Sequence, residues 1–330
     1  MGKKRLTWVD IAKAIAIIGM VVGHEVTNNA LRIFIFSFHM PLFFILSGYT
    51  SGNVDNWKKL GAKLKKSFIK VWLLACLMVI LLGIENLLAG ALSFPKMLQV
   101  DLQGLIWGSN VPWMKIQTVG IMWFLFVFFW AKLLFDWLQV IFPNKYNGMI
   151  LGILAYFAFV ISQKQWLPQA LDIVPIAAFF MWIGSFIKSL EREKISGRGL
   201  SILLVSAFGY WILCLQNGIS IEMATRHYPY FIISILEAVA GTIVICYISK
   251  GLALKNYFKV PLQMIGKHTL AIMCIHQLDF YWINWGNYFN SWVVAAIARL
   301  IVDLAILCIW LIIFTWIKAY KLGKENDREE

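Results

Sequence analysis

The chain alternates long apolar runs with short polar intervals, and the runs set the expected architecture. Ten are long enough to serve as membrane spans, near residues 8–26, 31–51, 69–90, 118–141, 148–162, 170–188, 199–216, 229–249, 268–287 and 292–317. Hydrocarbon offers no partners to backbone amides, so runs of this length predict α-helices. The fifth is short, which suggests a tilted or partly re-entrant helix. No interval is long enough for a soluble domain; the longest is 91–117. The expected fold is therefore all-α: a polytopic membrane protein of about ten transmembrane helices. Residues 1–330 read as one integral domain with an acidic cytoplasmic tail at 320–330.

Composition agrees with the pattern. Hydrophobic residues make up 60% of the chain and charged residues 14%, against about 45–50% and about 25% in soluble domains. GKKR before the first run resembles a signal-peptide n-region. The run has no small-residue cleavage pattern, however, and reads as an uncleaved span. With the N-terminus inside, 22 of the 30 Lys and Arg fall in inward loops and tails, five in outward loops and three within spans. That asymmetry predicts both termini in the cytoplasm. The net charge of +13 is then topological. It points to membrane lipid headgroups as partners and away from nucleic acid. All five cysteines lie in apolar runs, without C-x-x-C or a histidine at metal spacing, so they read as core thiols and no metal is expected.

Ionisable groups inside the runs are the candidate chemistry, because each is costly at bilayer depth. The first run carries Asp10, Lys13 and His24. Eleven residues separate Lys13 from His24, about three turns plus 20°, so the two share a helix face about 16 Å apart along the axis. Asp10 falls about 40° to the other side. A bland reading has His24 at the interface and Lys13 snorkelling to headgroups; a partner run carrying His39 and Ser47 favours a site instead. In 57–72, Lys59, Lys63, Lys66 and Lys70 form one basic helix face entering the third span. That face suits either a polyanionic ligand or lipid headgroups. In the outward 91–117 segment, Trp107 and Trp113 read as belt residues or as a sugar-stacking platform. Glu237 has no local partner. Arg299 and Asp303, at i and i+4, are expected to neutralise one another. His276 and Asp279, one turn apart, read as a proton-handling dyad or an interhelical hydrogen bond.

Several of these stretches resemble one family. The Lys13-x10-His24 stripe, SFHMPLFF at 37–44 and FILSGY at 44–49 look like the opening helices of the acyltransferase-3 family of integral membrane acyltransferases. Trp123-Phe124-Leu125 and the run IGKHTLAIMCIH ending at His276 are similar to later family motifs. The family usually has arginine where Lys13 stands, and lysine keeps the charge but loses the bidentate fork. The resemblance implies an O-acetyltransferase of the bacterial plasma membrane. Acetyl-CoA would be its co-substrate and donor. The acceptor would be a glycan, a cell-surface polysaccharide or its lipid-linked sugar precursor. His24 would be the base and Glu25 a neighbouring acid. Neighbours on a helix point about 100° apart, so Glu25 reaches His24 only if the helix ends there. The donor would rest on Lys13, Lys63, Lys66 and Lys70, its pantetheine arm running along the first helix toward His24. Two other classes remain open: a transporter or flippase for a lipid-linked sugar, and a non-catalytic partner of a polysaccharide synthase. Homo-oligomerisation is also open.

Overall fold

The computed structural model describes residues 5–116, 118–142, 144–192, 196–283 and 285–326. Among these the chain is helical, and the one β-bridge pairs Glu222 with His227. Eight helical rods are long and apolar enough to cross a membrane. Two shorter helices, α8 (Asn144–Ser162) and α13 (Thr269–Trp282), stand where the fifth and ninth spans are expected.

The opening helix α1 (Thr7–Glu25) is the hub. It packs against α3 (His39–Thr50), α11 (Phe231–Leu252), α12 (Asn256–Lys267), α13 and α14 (Trp292–Asn326). Its buried positions include Ala12, Ala14 and Ala16, small side chains that let neighbours approach from several sides. Where α12 reaches α1, a Cβ on Gly266 would lie 1.8 Å from the Asp10 carbonyl oxygen, so only glycine permits that contact.

The second expected run, 31–51, is broken into α2 (Asn29–Phe36) and α3. Asn28 caps α2 by accepting from the Leu31 N–H at 3.0 Å. The break at Ser37–Phe38 follows from Pro41, which has no N–H and whose ring crowds the carbonyl four residues back. The third run is longer than expected. Asn56 caps α4 (Trp57–Ser67), a π-turn spans Phe68–Trp72, and α5 (Leu73–Leu88) completes a continuous rod. The basic stretch and the span are thus one element, and the π-turn resets the face on which the lysines project.

After α5, α6 (Phe94–Trp107) leaves Phe94, Leu98, Leu102 and Ile106 exposed in one stripe and packs its other face on α5. Gly83 makes that packing possible, because a Cβ there would sit 2.1 Å from Asp101 Oδ2. Asp101 is buried with Oδ1 unpaired, and burial pushes its carboxyl up to about 6. A raised carboxyl pKa favours the protonated folded state, so this group's contribution falls as pH rises through about 4 to 6. Asp101→Asn is expected to raise the unfolding midpoint at pH 7 and flatten its dependence across that window, measured by thermal scans in detergent.

Helix α7 (Trp123–Ile141) supplies an aromatic core wall. Gln169, at the left-handed bend before α9 (Val174–Arg192), accepts from Trp72 Nε1 at 2.9 Å and Trp130 Nε1 at 3.2 Å. α9 then packs on α3 with almost no space between backbones: Cβ atoms on Gly48 and Gly184 would lie 1.7 and 1.8 Å from carbonyl oxygens of Met181 and Ile45. α10 (Gly197–Gln216) and α14 leave many apolar side chains exposed, as lipid-facing helices do.

Candidate functional site

Three cavities with shared walls form a row, and the second and third are lined in part by α1. The first is a cleft of about 350 Å³ lined by Lys63, Lys66, Lys70 and Lys132, with Asp136 and Ser51. Asp136 is buried and pairs with Lys132, and with Lys63 at 3.6 Å. Lys132 also donates to Ser51 Oγ at 3.0 Å. Four ammonium groups against one carboxylate leave the cleft strongly positive. Lys59 lies apart from it, paired with Asp55 on the surface.

Val71 and Phe128 belong both to this cleft and to a second chamber, also about 350 Å³. Lys13 and Ser47 line the second chamber. Asp10 does not join Lys13 there. It is buried and held by Arg5 in a fork, 2.7 and 2.9 Å, which makes it a structural anchor for the start of α1. Met20, Met40 and Met273 close the chamber's far end and also line the third cavity, about 150 Å³.

The third cavity is lined by His24, together with His39 and Trp123. Lys13 and His24 therefore face a common path, as their spacing predicts. The Pro41 break presents His39, whose ring packs edge-on to Phe36 and whose Nδ1 lies 2.9 Å from the Ile35 carbonyl oxygen. That contact makes Nδ1 the donor and fixes the tautomer.

Behind His24 lies a network that the sequence pairs differently. Arg299 and Asp303 were expected to neutralise each other, and His276 either to form a dyad with Asp279 or to bond another helix, as it does. The structure crosses these partners. Arg299 forms ion pairs with Asp279 Oδ2 at 2.9 Å and with Glu25, while His276 Nδ1 lies 3.0 Å from Asp303 Oδ2. Residues on α13 and α14 face one another across the helix interface, and this cross-helix geometry overrides spacing within a helix. Asp279 also accepts from Trp285 Nε1 at 3.2 Å. The His24 and His276 rings lie 5.3 Å apart at 36°. α1 stays helical through Glu25, whose carboxylate turns to Arg299 instead of His24. Glu25 thus ties α1 to α14.

His276, Asp279 and Asp303 offer donor atoms within 4.8 Å of one another, a spacing a metal ion could use. Arg299 already supplies a cation to Asp279. Lys132, Asp136, Arg32 and the three methionines are the site residues the sequence reading passed over. For Lys132 and Asp136 a signal was present: a cation and carboxylate at i and i+4 inside an apolar run.

A membrane-embedded helical bundle with a positive cleft at one end and an imidazole cavity further along the same row defines a class: an integral membrane protein with polar cavities inside its span. The chain belongs to the acyltransferase-3 family, whose model, described as an acyltransferase domain, matches residues 6–320. Neither the comparison with curated proteins nor that with solved structures gives a match. The chain is thus a multi-pass membrane acyltransferase.

Proposed function

We propose that this acyltransferase is an O-acetyltransferase that moves an acetyl group from cytoplasmic acetyl-CoA to a hydroxyl of a cell-surface glycan or its lipid-linked sugar precursor in the bacterial plasma membrane. The observation that carries the reading is the row of cavities. It begins at Lys63, Lys66 and Lys70, passes Lys13 and ends at His24. Phosphates of the donor suit the lysine cleft, because ammonium groups match them as point charges. An extended pantetheine arm then lies along α1, with its thioester beside His24.

In the reaction His24 takes the acceptor hydroxyl proton as the oxygen bonds to the thioester carbonyl carbon. The C–S bond then breaks, coenzyme A leaves as thiolate, and the proton passes from imidazole to sulfur. His276, held by Asp303, lies behind the base and keeps a second imidazole beside it.

Purified protein given radiolabelled acetyl-CoA and glycan acceptor is expected to release coenzyme A and label the glycan. Lys66→Ala combined with Lys70→Ala is expected to weaken coenzyme A binding about tenfold, from two exposed contacts. Calorimetry checks this, and unchanged affinity would move the donor site elsewhere.

A row of cavities also suits a transporter or flippase of a lipid-linked sugar. Movement of labelled lipid-linked sugar across proteoliposomes without any acyl donor would favour that reading.

A further inference from the structure

The path does not stop at His24. Arg32, Phe36 and Glu222 line its cavity and also the inner wall of a basin of about 590 Å³. This basin is built from α2, the residue after α8 and the α10–α11 connection, at the end of the bundle opposite the lysine cleft. Where the first cleft is strongly positive, the basin has matched its charges internally. Arg32 Nη2 lies 3.6 Å from Glu222 Oε1. Arg226 is buried, with its guanidinium on both oxygens of Asp172 at 2.7 and 3.2 Å. An incoming carboxylate or phosphate would meet the like charge of Glu222 beside the half-exposed Arg32, and the enclosed Arg226 guanidinium is already engaged by Asp172.

What the basin offers is uncharged hydrogen bonding. Gln163 stands in its wall with its amide nitrogen held by the Arg226 carbonyl at 2.9 Å, and Ser220, Thr225 and His227 complete the polar lining. The floor is stiff. Glu222 and His227 exchange backbone hydrogen bonds at 3.1 and 3.0 Å, and Arg226 holds the intervening turn at φ 60° with its guanidinium 3.5 Å from the centre of the Trp166 ring. Polar groups fixed in advance lower the ordering cost of a ligand that meets them.

We infer that this basin binds the acceptor as a neutral sugar. Arg32 and Glu222 act as positioning residues that turn one of its hydroxyls toward His24. The inference rests on the acyl-transfer reading and narrows its acceptor to uncharged polyhydroxyl compounds.

The test uses the full-length protein in nanodiscs on an array of neutral, uronate-bearing and phosphate-bearing oligosaccharides, with coenzyme A binding measured on the same preparation. Neutral oligosaccharides are expected to bind. Glu222→Gln and Arg32→Gln each weaken that binding at least about fivefold, the scale of one lost hydrogen bond. In turnover both variants raise KM for the neutral sugar and leave KM for acetyl-CoA unchanged. Ser220→Trp, which fills the basin without touching a charge, blocks sugar and spares coenzyme A. Binding confined to acidic oligosaccharides, or no oligosaccharide binding while coenzyme A binds, would overturn the assignment. Neutral-sugar binding without coenzyme A binding would keep the basin as a sugar site and sink the transfer reading instead.

Discussion

His24→Ala is expected to slow acetyl transfer by about 10²–10⁴-fold, the range a positioned general base supplies. Coenzyme A affinity should hold, because the lysine cleft lies at the far end of the path. His24 lines the cavity where an acceptor hydroxyl would arrive, with the His276 ring centre 5.3 Å away. Only the neutral ring accepts a proton, so transfer by the wild-type protein falls as pH drops through the His24 titration. His276→Asn provides the contrast. It removes the group held by Asp303 while sparing His24, so it is expected to cost less rate than His24→Ala and to displace the acid limb of the pH profile. Initial rates of coenzyme A release across pH check both. Wild-type rates from a folded His24→Ala protein would rule the imidazole out as base.

Arg299→Met carries the largest expected effect on stability. The guanidinium is 2% exposed, pairs with Glu25 of α1 and with Asp279 of α13 at 2.9 Å, and donates to the Ile283 carbonyl at 2.8 Å. Removing it leaves two enclosed carboxylates without their cation. Breaking a buried pair from one side costs about 3–5 kcal/mol. The triple variant Arg299→Met, Glu25→Gln, Asp279→Asn removes the charges together and is expected to recover most of that loss. Unfolding midpoints in detergent measure the difference. A single variant as stable as wild type would mean that the three helices are held by packing alone.

How far the sequence could be read follows from the physical range of each signal. Hydropathy and the Lys and Arg bias act along the chain, so the helices and their approximate bounds were legible. The Lys13–His24 stripe was legible for the same reason, since both residues ride one helix of fixed pitch. The α2–α3 break was announced by Pro41 but concealed inside a continuous apolar run. Asp10, His276, Asp279, Arg299 and Asp303 were visible as polar residues, but their partners were not. Spacing within a helix makes Arg299 and Asp303 neighbours, while packing of α13 on α14 and α1 hands each to another helix. Arg32 and Glu222 meet across connections nearly 200 residues apart in sequence, and nothing local in either marks the other.

Met20, Met40 and Met273 form the neck between the Lys13 chamber and the His24 cavity, and all three are buried. A catalyst reached from both sides of an energised membrane risks becoming a leak, and a watery channel there would drain the ion gradient. Thioether side chains are apolar yet supple, able to yield to a slender arm and to settle back when it withdraws. Under the proposed transfer the neck would act as a gasket, admitting the acyl arm without opening a conduit for ions.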